Sequence, residues 1–347
     1  MKTVLQILVI LACLLLATLF VYEIHGQPEV GIDDANIFFS YSENLAAGKG
    51  IVYANNPEKV EGFTSFLWML IGALLFKAGA GEGAILVVSF LLLVLTHLLV
   101  AGFIGRRAIE LGLTPYFYQL AYILLIALSA PYMTWMTITL MDTCLWGLVV
   151  AALTLAILSP PQTKFGWACL AAVVTISTLV RPESILVTPL ALLMIWLCRR
   201  NEVHGSFSRM PGRLAGLFAL TLTLLTSFRL WYFGFLLPNT FYAKVSPSLI
   251  YNLTNGLGYL FEFISASLVN GLAVVLVLVY FFLKLFGVRV SGQRHAEDFV
   301  EPPYRYAAGF VLLLLFLPVL TGGDHFAMSR LPTSFSSAVP GHNSGNT

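Results

Sequence analysis

Apolar runs of about 17 to 25 residues recur along almost the whole chain, each long enough to cross a hydrocarbon core of roughly 30 Å as a helix. Short polar intervals separate them. The positive-inside rule decides which runs cross. If every run crossed, Arg106 and Arg107 would lie outside, so Phe63 to Ala78 is expected to lie along the outer interface instead. Nine crossings remain: Val4–Tyr22, Ala84–Gly105, Tyr116–Ala130, Thr143–Leu158, Phe165–Val180, Ile185–Leu197, Leu214–Trp231, Leu268–Phe286 and Ala307–Leu320. With the N-terminus inside, the cytoplasmic side then holds 12 of the 19 Lys and Arg residues. The pattern predicts an all-α membrane protein, a polytopic transmembrane helix bundle of about 9 spans.

Composition agrees with this class. Of 347 residues 58% are hydrophobic and 10% charged, where a soluble domain carries about 25% charged residues. The formal charge of +2 is too small, and the basic residues too dispersed, for a nucleic-acid partner. Cys13, Cys144, Cys169 and Cys198 all fall in or at the end of apolar runs, without CxxC spacing, and read as small buried apolar residues. The first run follows a basic start, as a signal peptide would. Its length and the lack of a small-x-small cleavage site favour an uncleaved first span.

Under this topology the polar motifs gather on the outer face. They are the Asp33-Asp34 loop, Met141-Asp142, Arg181-Pro182-Glu183, Leu237 to Lys244, and Gly322-Gly323-Asp324-His325 with Arg330. Ionisable residues at membrane depth are costly and tend to mark function, so one-sided clustering points to a shared outer site. The longest polar interval, Gly31 to Trp68, contains a further helix. Asp33 or Asp34 opens it, Ile37, Phe38, Tyr41 and Leu45 form an apolar stripe, and Gly48 stops it. Such a helix would lie on the outer leaflet surface. Asp33 suits its N-cap. Adjacent helical residues point about 100° apart, so one carboxylate would act while its neighbour positions or caps.

The pattern Gly-Ile-Asp-Asp-Ala, Tyr-Ser-Glu-Asn-Leu-Ala, Gly-Lys-Gly and Val-Glu-Gly-Phe-Thr-Ser-Phe-Leu-Trp resembles the first outer loop of GT-C glycosyltransferases. The group it is most similar to includes the terminal arabinofuranosyltransferase of mycobacterial cell walls. Arg181-Pro182-Glu183, Pro238 to Lys244 and Gly322-Gly323-Asp324 resemble later motifs of that group in the same order, so the likeness covers roughly Val4 to Arg330. The resemblance implies many transmembrane helices with short interfacial ones, a bacterial inner-membrane location and an active extracytoplasmic face. It implies a polyprenyl-phosphate-linked sugar donor and a glycan or protein acceptor, and it puts the family's loop aspartates on Asp33 and Asp34. Residues 1–330 would form the transmembrane domain. Family members usually continue with more spans, whereas residues 331–347 are polar, rich in Ser, Pro and Gly, and read as a disordered tail, as in a truncated copy.

Such a transfer needs a base for the attacking hydroxyl, a role for Asp33 or Asp34. It also needs cationic donors on the departing phosphate, for which Arg181, Lys244 and Arg330 are candidates and Lys59 a weaker one. Glu183, Asn239, Tyr242, Asp324 and His325 are candidate substrate contacts. Tyr242 and Trp68 read equally as sugar-stacking platforms or as interfacial anchors. No cofactor is expected. Two loop aspartates with Asp324 and His325 make an incomplete metal-ligand set. His97, inside a span, reads as a helix–helix hydrogen-bonding group. The competing readings are a lipid-linked sugar flippase or transporter, which would have broken helices and charges within spans, and a non-catalytic membrane subunit. Arg229 and Glu262 are the charges that come nearest to mid-membrane.

The topology has a direct test. A single cysteine introduced by Gly205→Cys, in a background without the native cysteines, should stay unlabelled by an impermeant thiol reagent applied from outside. Labelling there would invert the assignment of that loop.

Overall fold

The computed structural model describes residues 2–26, 33–54, 58–199, 209–244, 248–285 and 302–322. Fourteen helices and no strand occur among them. In chain order they are α1 (Lys2–His25), α2 (Asp33–Ala46), α3 (Phe66–Lys77), α4 (Glu82–Glu110), α5 (Pro115–Ala127), α6 (Ala130–Ile138) and α7 (Thr143–Leu158). The second half holds α8 (Lys164–Val180), α9 (Ser184–Arg199), α10 (Met210–Tyr232), α11 (Asn239–Lys244), α12 (Leu249–Ala266), α13 (Leu268–Leu285) and α14 (Pro302–Thr321).

Local chemistry sets many of the boundaries. Ser65 caps α3 by accepting from the Trp68 amide, Thr163 caps α8 through the Gly166 amide, and Ser248 caps α12 through the Tyr251 amide. Each satisfies an amide that has no partner inside the helix. Pro115 opens α5, where its missing N–H costs nothing.

Four helices are long and apolar enough to cross a membrane: α1, α4, α10 and α14. The number rises to six if two bent pairs each count as one span. Large apolar side chains such as Leu16, Phe20, Phe117 and Phe165 are exposed on the outside of the bundle. Water would not tolerate so much apolar surface, and a lipid bilayer would. The chain is a helical membrane protein.

The bent pairs differ from the expectation of straight crossings. The run read as Tyr116–Ala130 is α5, and it continues past its expected end into α6 at 70°. Pro131 lies in the first turn of α6, lacks an N–H and restrains the residue before it, so one continuous helix cannot pass this point. The run read as Leu268–Phe286 is preceded by a second apolar helix, α12, which meets α13 at 113° through the extended residue Ser267. Gly256 lets α12 lie against α14: a Cβ there would come within 2.4 Å of the Val319 Cα.

Two buried clusters hold the bundle together. One joins α2 and α3 to α7, α8, α9, α10 and α14, and the other joins α1, α4, α5 and α6. His97 of α4 fastens the second. Its Nδ1 lies 2.7 Å from the Tyr122 hydroxyl of α5 and its Nε2 3.0 Å from the Tyr132 hydroxyl of α6, so one imidazole staples both arms of the bend. This is the helix–helix role expected for it.

The loop helix also forms as expected over Asp33–Ala46, with Gly48 at φ 77° ending it. Its apolar stripe, however, is not offered to lipid. Ala35, Phe38, Phe39 and Tyr41 are buried inside the protein, because α3 packs along that face. Among the cysteines Cys144 is buried, Cys13 and Cys198 are partly so, and Cys169 is exposed on α8, contrary to the expectation of burial. An apolar side chain facing lipid needs no protein cover.

Candidate functional site

The loop between α2 and α3 is held down residue by residue. Tyr41, on the buried face of α2, donates its hydroxyl hydrogen bond to the Val60 carbonyl and accepts one from the Gly62 amide at 3.1 Å. Ser42 donates to the Met69 carbonyl at 2.8 Å. A Cβ on Gly72 would come within 2.6 Å of the Ser42 oxygen, so a glycine at that position permits the close approach of α2 to α3. Asn44 reaches the Val52 carbonyl at 2.9 Å. From the far side, the Tyr232 hydroxyl at the end of α10 accepts from the Ile51 amide at 3.0 Å, and the Lys59 ammonium lies 4.5 Å from the centre of the Tyr232 ring.

A buried ion pair completes this clasp. Glu61, in the non-helical stretch before α3, meets Arg229 of α10, whose Nε–H is shared between both carboxylate oxygens at 3.0 and 2.9 Å. Their side chains are 2% and 4% exposed. Two charges so far from water are tolerable only as partners. Burial pushes the Glu61 carboxyl above the usual carboxylate range, and the Arg229 guanidinium pulls it back down. The Glu61 carbonyl also accepts from the Asn239 amide at 2.9 Å, which ties the first residue of α11 to the same point.

A second ion pair lies where α6 gives way to α7. Arg181 donates from Nε and Nη2 to the two oxygens of Asp142 at 3.0 and 2.9 Å, a side-on fork of the strongest hydrogen-bond type. Asp142 is fully buried, whereas 22% of the Arg181 side chain is exposed. Glu183 stands 3.8 Å from the Arg181 Nη1. The chain reaches this arrangement through Leu140, a non-glycine residue at φ 56°. Such a backbone is unfavourable for a branched apolar residue and persists only where its surroundings enforce it. Here the Trp68 indole N–H donates to the Leu140 carbonyl at 3.1 Å. Trp68 thereby links α3, and with it the first loop, to the turn that carries Asp142 into α7.

The residues predicted from sequence are spread over several places in the fold. Asn239 belongs to the Glu61 group, and Arg181 with Glu183 to the Asp142 group. Asp33 and Asp34 form the first turn of α2, Asp34 partly buried, while the Asp33 side chain lies outside the described residues. Tyr242 is on α11, exposed, with its ring 6.3 Å from that of Phe235. The Lys244 side chain, Asp324, His325 and Arg330 lie outside the described residues. One expectation is corrected. Trp68 is 3% exposed and spends its indole N–H on Leu140, so it offers no open face to a sugar ring. Among the described residues no group of three or more His, Cys, Asp and Glu side chains is placed to hold a metal ion.

Sequence reasoning did not reach the two ion pairs as pairs. Asp142 and Arg229 stood out as charges at the ends of apolar runs, which signals that each needs a partner. The identity of the partner lies 39 residues away in one case and 168 in the other. Comparison with known proteins adds no assignment: no family model, no curated protein and no solved structure matches the chain.

If the Glu61–Arg229 pair clasps the loop, removing one partner strands a buried charge and should cost about 3 to 5 kcal/mol. Glu61→Gln and Arg229→Gln should each lower the thermal unfolding midpoint sharply in detergent, and the double variant should lose less than the sum of the two. Additive losses would mean that the charges act independently.

Proposed function

We propose that this chain is a membrane-embedded glycosyltransferase of the GT-C kind, moving a sugar from a polyprenyl-phosphate donor to an acceptor on the extracytoplasmic face of a bacterial inner membrane. The observation that carries the reading is the outer loop. A helix that begins at adjacent aspartates is fixed against the membrane bundle by a buried ion pair and a ring of tyrosine contacts. A carboxylate on such a rigid platform is suited to taking a proton from an acceptor hydroxyl held against it. Asp34 or Asp33 has that role, while Arg181 meets the departing phosphate. Glu183, Asn239, Tyr242, Asp324 and His325 would contact the sugar, with Lys244 and Arg330 as further cations toward the phosphate. No cofactor is required by this chemistry, and the acceptor is a cell-wall polysaccharide, a lipopolysaccharide or a protein such as a pilin.

The reading uses nine crossings. The four long helices and the two bent pairs supply six, and α7, α8 and α9 supply three. At 16 or 17 residues these last are about 24 to 26 Å long, which suits a locally thinned bilayer. Helix α3, with 12 residues, stays at the outer surface.

A second reading, a lipid-linked sugar flippase, is favoured by one observation: the bends of 70° and 113°, since discontinuous helices are a device of transporters. Purified protein in proteoliposomes with a radiolabelled polyprenyl-phospho-sugar and a soluble acceptor separates the two. The transferase reading expects labelled acceptor, with a loss of 10²-fold or more in either Asp33→Asn or Asp34→Asn. Movement of the lipid between leaflets without any transfer would replace it with the flippase reading.

A further inference from the structure

Packing against the bundle accounts for only one side of α12. Asn252 and Gly256 are buried against the end of α14, Gly256 at Val319 and Asn252 at Gly322. Ile250, Leu257 and Phe261 are exposed, and successive residues turn by about 100°, so these three fall within about 40° of one another around the helix. Asn255 and Glu262 are exposed on a different arc, about 120 to 140° further round from Ile250. Thr254 stands between the two arcs and returns its hydroxyl hydrogen to the Ile250 carbonyl at 2.9 Å. The helix therefore has three sides: one for protein, one apolar and one polar.

Direction decides what the apolar side meets. Helix α13 has 18 residues, about 27 Å of apolar helix, and spanning helices stand on average about 20° from the bilayer normal. With α13 so placed, α12 at 113° to it lies nearer the plane of the bilayer than its normal. A helix in that plane turns one side to acyl chains and another to water, which is the division its surface shows. Were α12 instead a leg descending into hydrocarbon, exposed Asn255 and Glu262 would face lipid at high cost. Its seat on α14 sets the level, because Val319 and Gly322 lie where that helix ends. The chain leading into α12 exposes Trp231, Phe235 and Tyr242, aromatic residues suited to a membrane–water boundary. No Lys or Arg occurs in α12, so its attraction to a lipid surface is apolar rather than electrostatic.

We infer that α12 is an interfacial helix: Ile250, Leu257 and Phe261 insert between headgroups and acyl chains beside the end of α14, while α13 alone makes the crossing of that pair. The partner is the lipid surface itself, whatever its headgroup charge. With the N-terminus inside, this is the outer leaflet. The inference concerns placement in the membrane and holds whichever reaction the protein performs.

Spin labels measure that placement. Single cysteines introduced by Ile250→Cys, Phe261→Cys and Glu262→Cys, in a full chain without the native cysteines, are labelled in nanodiscs. Depth is read from collisions with oxygen, which concentrates among acyl chains, against those with a water-soluble nickel chelate. All three positions are exposed, so the labels displace no packing. Ile250 and Phe261 are about 16 Å apart along the axis. Labels there should both favour oxygen and differ in depth by less than half that distance, and the label at Glu262 should favour the chelate. A larger difference in depth overturns the inference, since α12 would then descend as part of a crossing. Shielding of Ile250 and Phe261 from both reagents also overturns it, because a second copy or another protein would then cover that face. Raising the fraction of anionic lipid should leave both depths unchanged; a deepening would contradict the apolar basis of the attachment.

Discussion

The buried pair of Glu61 and Arg229 is the constraint on which the loop between α2 and α3 depends. A carboxylate and a guanidinium that are both almost fully shielded must stay together. Glu61 sits in non-helical chain, so its attachment to α10 helps to fix the stretch before α3. The contacts of Tyr41 with Val60 and Gly62, of Tyr232 with Ile51, and of Asn239 with the Glu61 carbonyl can then form around a fixed point. A loop that sequence alone would leave at the membrane surface becomes part of the packed core. Trp68 carries the same rigidity inward to Leu140, next to the Asp142–Arg181 pair. The hydrogen bond from Trp68 to Leu140 thus lies between the two ion pairs.

Much of the fold was legible because membrane helices announce themselves by composition. The loop helix was legible for a different reason: Ile37, Phe38, Tyr41 and Leu45 recur at helical spacing and Gly48 supplies the left-handed stop. Where that stripe would go was not legible, since an apolar face suits lipid and protein equally. The bends were also hidden. Hydropathy records how apolar a run is and says nothing of its axis, so the crossing read as Tyr116–Ala130 stopped where α6 begins, and α6 and α12 went uncounted. Pro131 and Ser267 were the local signals.

The site was legible in its members more than in its pairings. Arg181 and Glu183 stood out together because they are neighbours in sequence. Asp142 and Arg229 stood out only as expensive charges, because the choice of partner is made by packing across 39 and 168 residues. Trp68 shows the converse error. It read equally as a sugar-stacking platform or an interfacial anchor, yet its indole N–H needed a buried acceptor and found Leu140.

The central claim is that the loop between α2 and α3 is a rigid platform fastened to the bundle. Hydrogen exchange of the full chain in nanodiscs, followed over peptides covering residues 47–54 and 58–65, measures it directly. The account predicts that the amides of Ile51 and Gly62, both bound to tyrosine hydroxyls, exchange about as slowly as those of α10. Complete exchange within seconds, as in an unstructured surface loop, would contradict it.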